Sequence, residues 1–538
     1  MKKISLWMIV VVCQLATATQ AQKIKKAPEN WQNLDLKTNK VYGVSTNESY
    51  EKLLKGKQGK TIVVAVIDGG TDIHHEDLMG NLWVNEKEIP NNGIDDDKNG
   101  YIDDINGWNF IGGKNGTNVD HDTYEYTRLY GKFKKKYEKI DSVTAAQDPK
   151  EYKLWLSVKE KYETEHASSL AVLERFQSIS RGIENIFKRL KTREPKLEDV
   201  VALPATSKDD LNGKSALVRS LSGGGNTQAL VDQIESIKEH YGKEVDFYLN
   251  VNYNPRTIVG DTYEAANQRN YGNNDVKGPD AGHGSHVAGI IAALRNNGIG
   301  IEGVANNVKI MVIRVVPDGD ERDKDVANGI LYAALNGASI INMSFGKNYG
   351  YNKKAVDDAV KIAMSKDVLM IHAAGNNAEC NDSVPHFPLR EYENDSNFAK
   401  AWIEVGASTW KEKKFLAADF SNYGMKTVDV FAPGLDINST VPDSNEYKEY
   451  SGTSMAAPVT AGVAAVIRSY YPELSAEQVK EAIEKSVVVV KGKVLLPGSE
   501  KKKVKFKNLC KTGGIVNLYK ALEYAATMKP VAPPTPKK

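Results

Sequence analysis

In the second half of the chain, short and mainly apolar runs alternate with longer stretches of helical periodicity. Val308–Val315, Ile340–Phe345 and Val368–Ala373 have the length and composition of strands that are buried on both faces. The segments 325–336 and 353–366 between them carry apolar residues at helical spacing. This alternation predicts an α/β fold, in which a doubly wound parallel sheet carries helices on both faces.

Residues 121–275 follow a different pattern. Apolar residues recur there every three or four positions among many Lys and Glu residues, which is typical of amphipathic surface helices. The apolar series run from Tyr126 to Ile140, from Trp155 to Tyr162 and from Leu170 to Leu190. Pro195 and the run Gly223–Asn226 interrupt the pattern. We predict a mainly α-helical insertion of two or three antiparallel helices.

The segment Tyr450–Gly462 surrounds Ser454 with small residues, as an exposed nucleophile requires. Pro458 suits the first turn of a helix, and the apolar residues after it recur at helical spacing. We therefore expect Ser454 at a helix N-terminus, where free N–H groups favour negative charge. An ordinary Gly/Ser turn before a buried helix is the alternative, because a catalytic serine needs a base.

A base and an orienting carboxylate are present upstream. His283 lies between two glycines at the start of a small-residue apolar helix, which leaves its imidazole accessible. His286, one turn further on, is better interpreted as a packing or hydrogen-bonding histidine. The β-branched run Thr61–Asp68 predicts a buried parallel strand that ends in Asp68 and two glycines. Functional carboxylates of open α/β sheets gather at such strand ends.

In the order Asp68, His283, Ser454, these segments resemble the subtilisin-like serine proteases, or subtilases. The resemblance covers about 60–120 and 276–490, and it implies that Asn376 is the oxyanion-hole donor and that Ile340–Gly346 holds the substrate backbone. The substrate-binding residues that it implies are Ser344, Phe345, Gly346, Ala374 and Gly375. Gly69 departs from the family, which more often has Ser, Thr, Asp or Ala there.

The function implied is that of a secreted serine endopeptidase, which hydrolyses peptide bonds through an acyl-enzyme and needs no cofactor for this chemistry. Three other classes are open. A catalytically inactive subtilase scaffold would usually lack one of the four groups, and a calcium-dependent adhesion protein would leave the triad motifs unexplained. Another serine hydrolase is the third, but no Gly-x-Ser-x-Gly elbow surrounds Ser454.

An acidic loop, Asn92–Asp104, predicts one structural calcium ion. Its oxygen-bearing residues stand at alternate positions before Gly100, as in the first half of an EF-hand-like loop. Position twelve is Asn106 and not Glu, so a bidentate carboxylate must come from elsewhere, with Asp103 and Asp104 as candidates. The predicted calcium ligands are Asp95, Asp97, Asn99 and Asp103. A solvated acidic turn is the alternative.

The N-terminus is typical of an export signal. Lys2 and Lys3 precede the apolar stretch Ile4–Val12, and we place cleavage after Ala21, which predicts a periplasmic or extracellular protein. Cys13 allows a lipoprotein alternative, but no small residue precedes it. No other stretch approaches the ~20 apolar residues of a membrane span.

The net charge limits the possible binding partners, and the cysteine content limits the possible disulfides. Without residues 1–21 the chain has 69 basic and 69 acidic residues, which gives no support for nucleic acid or an anionic membrane as a partner. Polypeptide substrates remain the expected partners, and the oligomeric state is open. Cys380 and Cys510 are too few for a disulfide scaffold, and whether the two pair is also open.

The predicted domain organisation is discontinuous. The segments are a signal peptide (1–21), an N-terminal segment (22–57), the peptidase domain (58–120 and 276–490), the helical insertion (121–275) and a C-terminal extension with a Pro-rich tail (491–538). The insertion lies in sequence between two catalytic residues. Three roles are open for it: a surface addition without a function in catalysis, a gate over the active-site cleft, or assistance in folding.

Overall fold

The structure is a computed structural model that describes residues 26–140, 142, 148–443 and 445–531. Its chain divides into two units by internal contacts. Among the described residues, those within 27–140 and 251–531 form the larger unit, and Lys26 with those within 142–250 forms the smaller. The predicted signal peptide, with Cys13, lies outside the described residues.

Within the described residues of the larger unit, nine strands form one sheet. The strands of the chain are β1 Ile62–Asp68, β2 Gly107–Asn109, β3 Val308–Arg314, β4 Ile340–Met343, β5 Leu369–Ala373, β6 Trp402–Ser408, β7 Val430–Pro433, β8 Ile437–Val441, β9 Glu446–Tyr450, β10 Val488–Val489, β11 Lys493–Leu495, β12 Lys503–Lys505 and β13 Gly514–Ile515. Their order in the sheet is β10-β13-β7-β6-β5-β4-β1-β3-β2. Every neighbouring pair is parallel except β10 with β13, so the predicted parallel α/β sheet is confirmed.

Helices of the larger unit cover both faces of this sheet. The helices are α1 Thr46–Lys52, α2 Glu125–Tyr137, α3 Pro149–Leu190, α4 Leu197–Ala202, α5 Lys208–Ser222, α6 Thr227–Lys243, α7 Arg256–Val259, α8 Gly282–Ala292, α9 Asp323–Leu335, α10 Lys353–Ser365, α11 Thr453–Tyr470, α12 Ala476–Lys485 and α13 Leu518–Ala525. Val64 and Val66 of β1 share a core with α8 and α11. Ala65 and Ile67 share the opposite core with α9 and α10, because successive side chains of a strand point to opposite faces. The doubly wound architecture is therefore confirmed.

Two terminal segments contribute more to this core than the sequence pattern indicates. Trp31, in the predicted N-terminal segment 22–57, is 1% exposed. Strand β13 and helix α13 lie beyond residue 490, yet β13 pairs with β7 and Leu518 and Leu522 of α13 join the main core. The domain limits at 57 and 490 remain sequence predictions. Among the described helices, none is long and apolar enough to cross a membrane.

The smaller unit is helical, as predicted for the insertion, but its helices differ from those we expected. Helix α3 continues for 42 residues, whereas the pattern suggested separate stretches around Tyr162 and Leu170. Pro195 and Gly223–Asn226 do lie between helices. The apolar stripe of α3, including Ile183, packs against α4, α5 and α6 of the same unit.

Helices α3 and α5 approach each other through two glycines. A methyl group on Gly182 would lie 1.9 Å from the carbonyl oxygen of Asp209, and one on Gly213 would lie 2.4 Å from the carbonyl carbon of Gly182. Real side-chain carbons do not come so close to backbone, so this crossing requires residues without a Cβ. Gly242 in α6 has no atom within 4 Å of such a methyl.

We predict opposite effects for two Gly→Ala substitutions in this unit. Gly182→Ala should destabilise it by about 1–3 kcal/mol, because the two backbones must separate. Gly242→Ala is the matched control and should stabilise α6 by about 0.5–1 kcal/mol, since alanine has the higher helix propensity. Amide hydrogen exchange of α3, α5 and α6 in the full chain measures both. Equal protection in the two variants would contradict the proposed crossing.

Candidate active site

Asp68 and His283 are joined at the carboxyl end of β1. Asp68 is the last residue of β1 and is 2% exposed, and His283 is the second residue of α8. His283 Nδ1 donates to Asp68 Oδ1 at 2.7 Å, and the Gly69 N–H donates to the same oxygen at 2.8 Å. A proton on Nδ1 leaves the lone pair of the neutral ring on Nε2. The imidazole is therefore held in the tautomer of a base, and 43% of its side chain is exposed.

A glycine allows α8 to reach this strand end. A methyl group on Gly284 would lie 2.0 Å from the carbonyl oxygen of Gly70 and 3.3 Å from Cβ of Asp68. Without a Cβ at residue 284, the first turn of α8 packs directly on the loop after β1. The glycine that we expected to leave the imidazole accessible thus also brings it to its carboxylate.

The surroundings of His283 change its proton affinity. Removal from water lowers the pKa of the imidazole, but the negative charge of Asp68 and the hydrogen bond to it raise the pKa by more, so the net pKa lies above the usual value. Asp280 adds a smaller effect in the same direction. The carboxylate therefore stabilises the imidazolium form that a general base must pass through.

Ser454 is the second residue of α11, as the predicted helix N-terminus requires. The expected position of Pro458 is wrong, because α11 begins at Thr453 and the proline lies in its second turn. Pro458 has no N–H, so the Ser454 carbonyl lacks its usual donor four residues on. Ser344 Oγ supplies a donor to that carbonyl instead, at 2.8 Å.

The hydroxyl of Ser454 donates to the carbonyl of Ser344 at 3.0 Å. Among the described residues, no hydrogen bond joins Ser454 Oγ to His283. Catalytic hydrogen bonds are often formed only when substrate is bound. Rotation of this small, half-buried side chain is needed before its proton can pass to an imidazole.

Asn376, just beyond the end of β5, is held by the start of α11. Its Oδ1 accepts from the N–H of Thr453 at 2.8 Å and from Thr453 Oγ1 at 2.9 Å. This orientation leaves the Asn376 NH₂ group as a donor. A methyl group on Gly452 would lie 3.5 Å from Asn376 Nδ2 and 3.6 Å from the Ser454 nitrogen, so both nitrogens lie near the same point beside Gly452.

Thr453 is a functional residue that the sequence reasoning missed. Besides fixing Asn376, its Oγ1 accepts from the N–H of Gly375 at 3.1 Å. It is fully buried, and nothing in its type or spacing separates it from the other small residues around Ser454.

The predicted substrate-binding residues lie after two neighbouring parallel strands. Ser344, Phe345 and Gly346 follow β4, while Ala374 and Gly375 follow β5. The carbonyl of Phe345 accepts from His372 Nε2 at 2.9 Å, which fixes the course of the first segment. The structure thus brings both segments beside Ser454.

The acidic loop brings two of its predicted calcium ligands, Asp95 and Asp97, together with a carboxylate from outside the motif. Glu88, Asp95 and Asp97 place carboxylate oxygens within 4.8 Å of one another. Asp103 accepts from the N–H groups of Asn92 and Gly93. Glu88 lies outside the motif in sequence, so the motif alone could not identify it.

Two further residues of the loop, Asp104 and Asn99, form hydrogen bonds with their neighbours. Asp104 is buried and accepts from the Tyr332 hydroxyl at 2.6 Å, and burial raises the pKa of Asp104 to about 6. Asn99 donates from Nδ2 to Asp104 at 2.9 Å.

His286 and the two cysteines Cys380 and Cys510 have the surroundings of structural residues. His286 is fully buried, its Nε2 lies 2.9 Å from the carbonyl of Ile437, and its ring stacks on Tyr450. Burial lowers the pKa of His286 to about 3. Cys380 and Cys510 are both free thiols, and burial raises the pKa of Cys510 to about 11.

Comparison with known proteins gives several relatives. A thermophilic serine proteinase of Bacillus sp. (strain AK1) is 39% identical over 211 residues, which are 39% of this chain and 48% of that protein. Thermitase of Thermoactinomyces vulgaris is 37% identical over 244 residues, 45% of this chain and 75% of that protein. Subtilisin DY of Bacillus licheniformis is 38% identical over 204 residues, 38% of this chain and 69% of that protein.

The family model described as Subtilase family, peptidase S8, matches residues 59–509. That range contains all four groups at the candidate site and both segments beside it. The chain spans about half the length of the first of these relatives and three quarters of the second. By the extent of the family match and the likeness to thermitase, the chain belongs to the subtilase family of serine peptidases.

Proposed function

We propose that the protein is an exported serine endopeptidase that hydrolyses peptide bonds through an acyl-enzyme, with Asp68, His283 and Ser454 as its triad. The observation that carries the proposal is the bond between His283 Nδ1 and a buried carboxylate oxygen of Asp68, at 2.7 Å. It fixes a basic imidazole at the carboxyl ends of the strands, where the substrate segments and the start of the Ser454 helix also meet.

In the first step, His283 Nε2 accepts the Ser454 proton as Oγ attacks the substrate carbonyl, and it later returns that proton to the leaving amine. Asp68 holds the ring in its tautomer and stabilises its charged form. An extended substrate laid along Ser344–Gly346 brings a backbone N–H to the Ser344 carbonyl. Since this carbonyl accepts from Ser454 Oγ in the structure, substrate binding releases the hydroxyl for attack.

The negative charge that develops on the substrate oxygen needs donors. The Ser454 nitrogen, at a helix N-terminus, and Asn376 Nδ2 lie near the same point beside Gly452, and they are the donors that would serve the oxyanion. Thr453 holds Asn376 from behind, so the amide does not have to reorient during the reaction. Loss of such a donor costs about 10²–10³ in turnover, a value obtained with subtilisin, which belongs to the same family.

The competing classes are less well supported. An inactive scaffold would usually have lost one of the four groups, and all four are present. A calcium-dependent adhesion protein would have no use for the buried Asp68 carboxylate and its imidazole. Export rests on the N-terminal sequence pattern, and polypeptides are the substrate class of the serine peptidase family to which the chain belongs.

For the acidic loop, we infer one structural calcium ion held by Glu88, Asp95 and Asp97. Carboxylate oxygens are the hard ligands that calcium prefers. Asp95 also accepts from the N–H groups of Asn99 and Gly100, so the loop is already folded around its acidic residues. The ion would hold the loop and take no part in catalysis.

Ser454→Ala should abolish peptidase activity without unfolding the protein, because it removes one oxygen from a small-residue site. In subtilisin, removal of the serine costs about 2 × 10⁶ in turnover. A fluorophosphonate probe should label the wild-type protein at Ser454 and leave Ser454→Ala unlabelled, while Ser451→Ala, an exposed neighbour, keeps labelling and turnover. Peptide cleavage by a pure Ser454→Ala preparation at the wild-type rate would refute the proposed triad.

The pH dependence should report the bond between His283 and Asp68. Only the neutral imidazole accepts a proton, so kcat/KM should rise with pH through an acid limb above 6.5, the ordinary histidine pKa. Asp68→Asn removes the charge that raises the pKa of His283, so the limb should move to lower pH while turnover falls by about 10⁴. Peptide hydrolysis measured from pH 5 to 9 tests both. An unshifted limb in Asp68→Asn would mean that another group sets it.

Calcium should raise the melting temperature of chelator-treated protein. Saturation to 100 times Kd corresponds to about 2.7 kcal/mol of added stability. Asp97→Asn should remove this effect, whereas Asp96→Asn should keep it, because Asp96 lies outside the three-carboxylate group. An equal calcium response in wild type and Asp97→Asn would place the ion elsewhere.

A further inference from the structure

A buried lysine directly follows the segment that is hydrogen-bonded to the nucleophile. Lys347 comes after Gly346, and its side chain is buried. Its N–H donates to the Phe387 carbonyl at 3.1 Å, and its carbonyl accepts from the Phe387 N–H at 2.7 Å. At the other end of the segment, two hydrogen bonds join Ser344 to Ser454. Only two residues separate Lys347 from Ser344, so a shift of Lys347 moves the residue that holds the nucleophile.

The ammonium group of Lys347 has three partners, and all of them belong to buried residues. Nζ lies 2.5 Å from Glu125 Oε2 and 2.7 Å from Asp323 Oδ1. It also donates to the carbonyl of Glu321 at 2.6 Å. An ammonium group has three N–H donors, so this set of acceptors uses all of them.

Glu125 comes from the range 121–275, which the sequence predicts to be an insertion. It is the first residue of α2 and is fully buried. Arg128 donates to it twice, from Nε to Oε1 at 3.0 Å and from Nη2 to Oε2 at 2.9 Å. The N–H of Glu125 donates to Asp320 Oδ2 at 2.7 Å. The start of α2 is therefore attached both to the loop before α9 and to Lys347.

The charges of this cluster stabilise one another. Burial raises the pKa of Glu125, but the positive charges of Arg128 and Lys347 lower it by more, to about 2. Removal from water lowers the pKa of Lys347, but the negative charges of Asp323 and Glu125 raise it by more. Both groups are therefore ionised at pH 7. Because a buried ion pair adds little stability compared with apolar residues of the same volume, stability alone does not account for the cluster.

We propose that Glu125 is a positioning residue of the active site: through Lys347 it holds the segment Ser344–Gly346 where Ser344 can bond to Ser454. The inference rests on the proposed peptidase function and gives α2 a role in it. Glu125 acts through these residues and does not enter the reaction itself. The first helix of the predicted insertion then serves catalysis by fixing the position of the nucleophile.

The test removes the charge of Glu125 and keeps the shape of its side chain. In Glu125→Gln, the new NH₂ group must face a donor of Arg128 or of Lys347, so Lys347 should shift. Since a displacement of about 1 Å can cost about 10²-fold in rate, kcat should fall by about 10- to 100-fold. The rate at which a fluorophosphonate labels Ser454 should fall with it. Both rates are measured well below the melting temperature of each variant.

Asp429→Asn is the matched control. Asp429 is also fully buried and accepts from Arg390 Nη1 at 3.0 Å. It precedes β7 at the amino ends of the parallel strands, whereas the catalytic groups lie at the carboxyl ends. Asp429→Asn should lower the melting temperature as Glu125→Gln does, but keep the wild-type kcat and labelling rate. If both variants lost activity to the same extent, the role of Glu125 would be structural only and the inference would be wrong.

Lys347→Met tests the same contact from its other side, and it decides the matter if Glu125→Gln does not fold. It should lower kcat by a similar factor. The double variant Glu125→Gln/Lys347→Met should lose much less than the product of the two single losses, because both substitutions remove one contact. Losses that multiply would mean that the two residues act independently, which would also overturn the inference.

The labelling of Ser454 separates this inference from the proposed function. If folded Glu125→Gln or Lys347→Met protein is labelled and turns over at the wild-type rate, the positioning role is wrong and the peptidase function stands. If the wild-type protein is neither labelled nor active, the peptidase function fails, and the inference fails with it.

Discussion

A missing N–H in the second turn of α11 is the constraint on which the site depends. Pro458 cannot donate to the Ser454 carbonyl, and a buried carbonyl without a donor costs about 1–3 kcal/mol. Ser344 meets this need with its hydroxyl, and its own carbonyl accepts from Ser454 Oγ. Two hydrogen bonds in opposite directions thus join the nucleophile to the end of β4. The bond to the Ser454 carbonyl does not involve the attacking oxygen, so the backbone of the nucleophile stays in place beside the end of β4 when the hydroxyl is released, which is the positional control that a nucleophilic attack requires.

Thr453 extends the same logic to the next strand. Its hydroxyl and N–H hold Asn376, and its oxygen accepts from Gly375, so the end of β5 is also attached to the start of α11. The nucleophile, the oxyanion donor and the two substrate segments are therefore one hydrogen-bonded assembly. The base reaches this assembly by another route: Gly284 lets α8 contact the loop after β1, where Asp68 receives the imidazole.

The sequence predicts those residues of the site that are recognisable from their immediate sequence neighbours. Asp68 at a strand end, His283 between glycines and Ser454 among small residues are marked by their immediate neighbours, and the sheet is marked by alternating apolar runs. Glu88 carries no such local mark, because it lies outside the acidic motif and gains its role from carboxylates that the fold brings near. The position of Pro458 was mispredicted for a related reason. The hydroxyl of Ser344, just after β4, replaces the hydrogen bond that the proline removes, and no helix rule contains that partner.

The boundary of the insertion also depends on contacts distant in sequence. Lys347 follows Gly346, is 5% exposed, and donates from Nζ to Glu125 and to the carbonyl of Glu321. Glu125 and Arg128 belong to α2, inside the predicted insertion 121–275, but they are part of the larger unit and its buried charge network. Breaking a buried ion pair by removing one partner costs about 3–5 kcal/mol. A deletion that included α2 would therefore disturb the segment Ser344–Gly346, whatever the role of the helices in the smaller unit. A deletion confined to 141–250 keeps Lys347 paired with Glu125. Only that cut can distinguish decoration, gating and assistance in folding as roles of the helical segment.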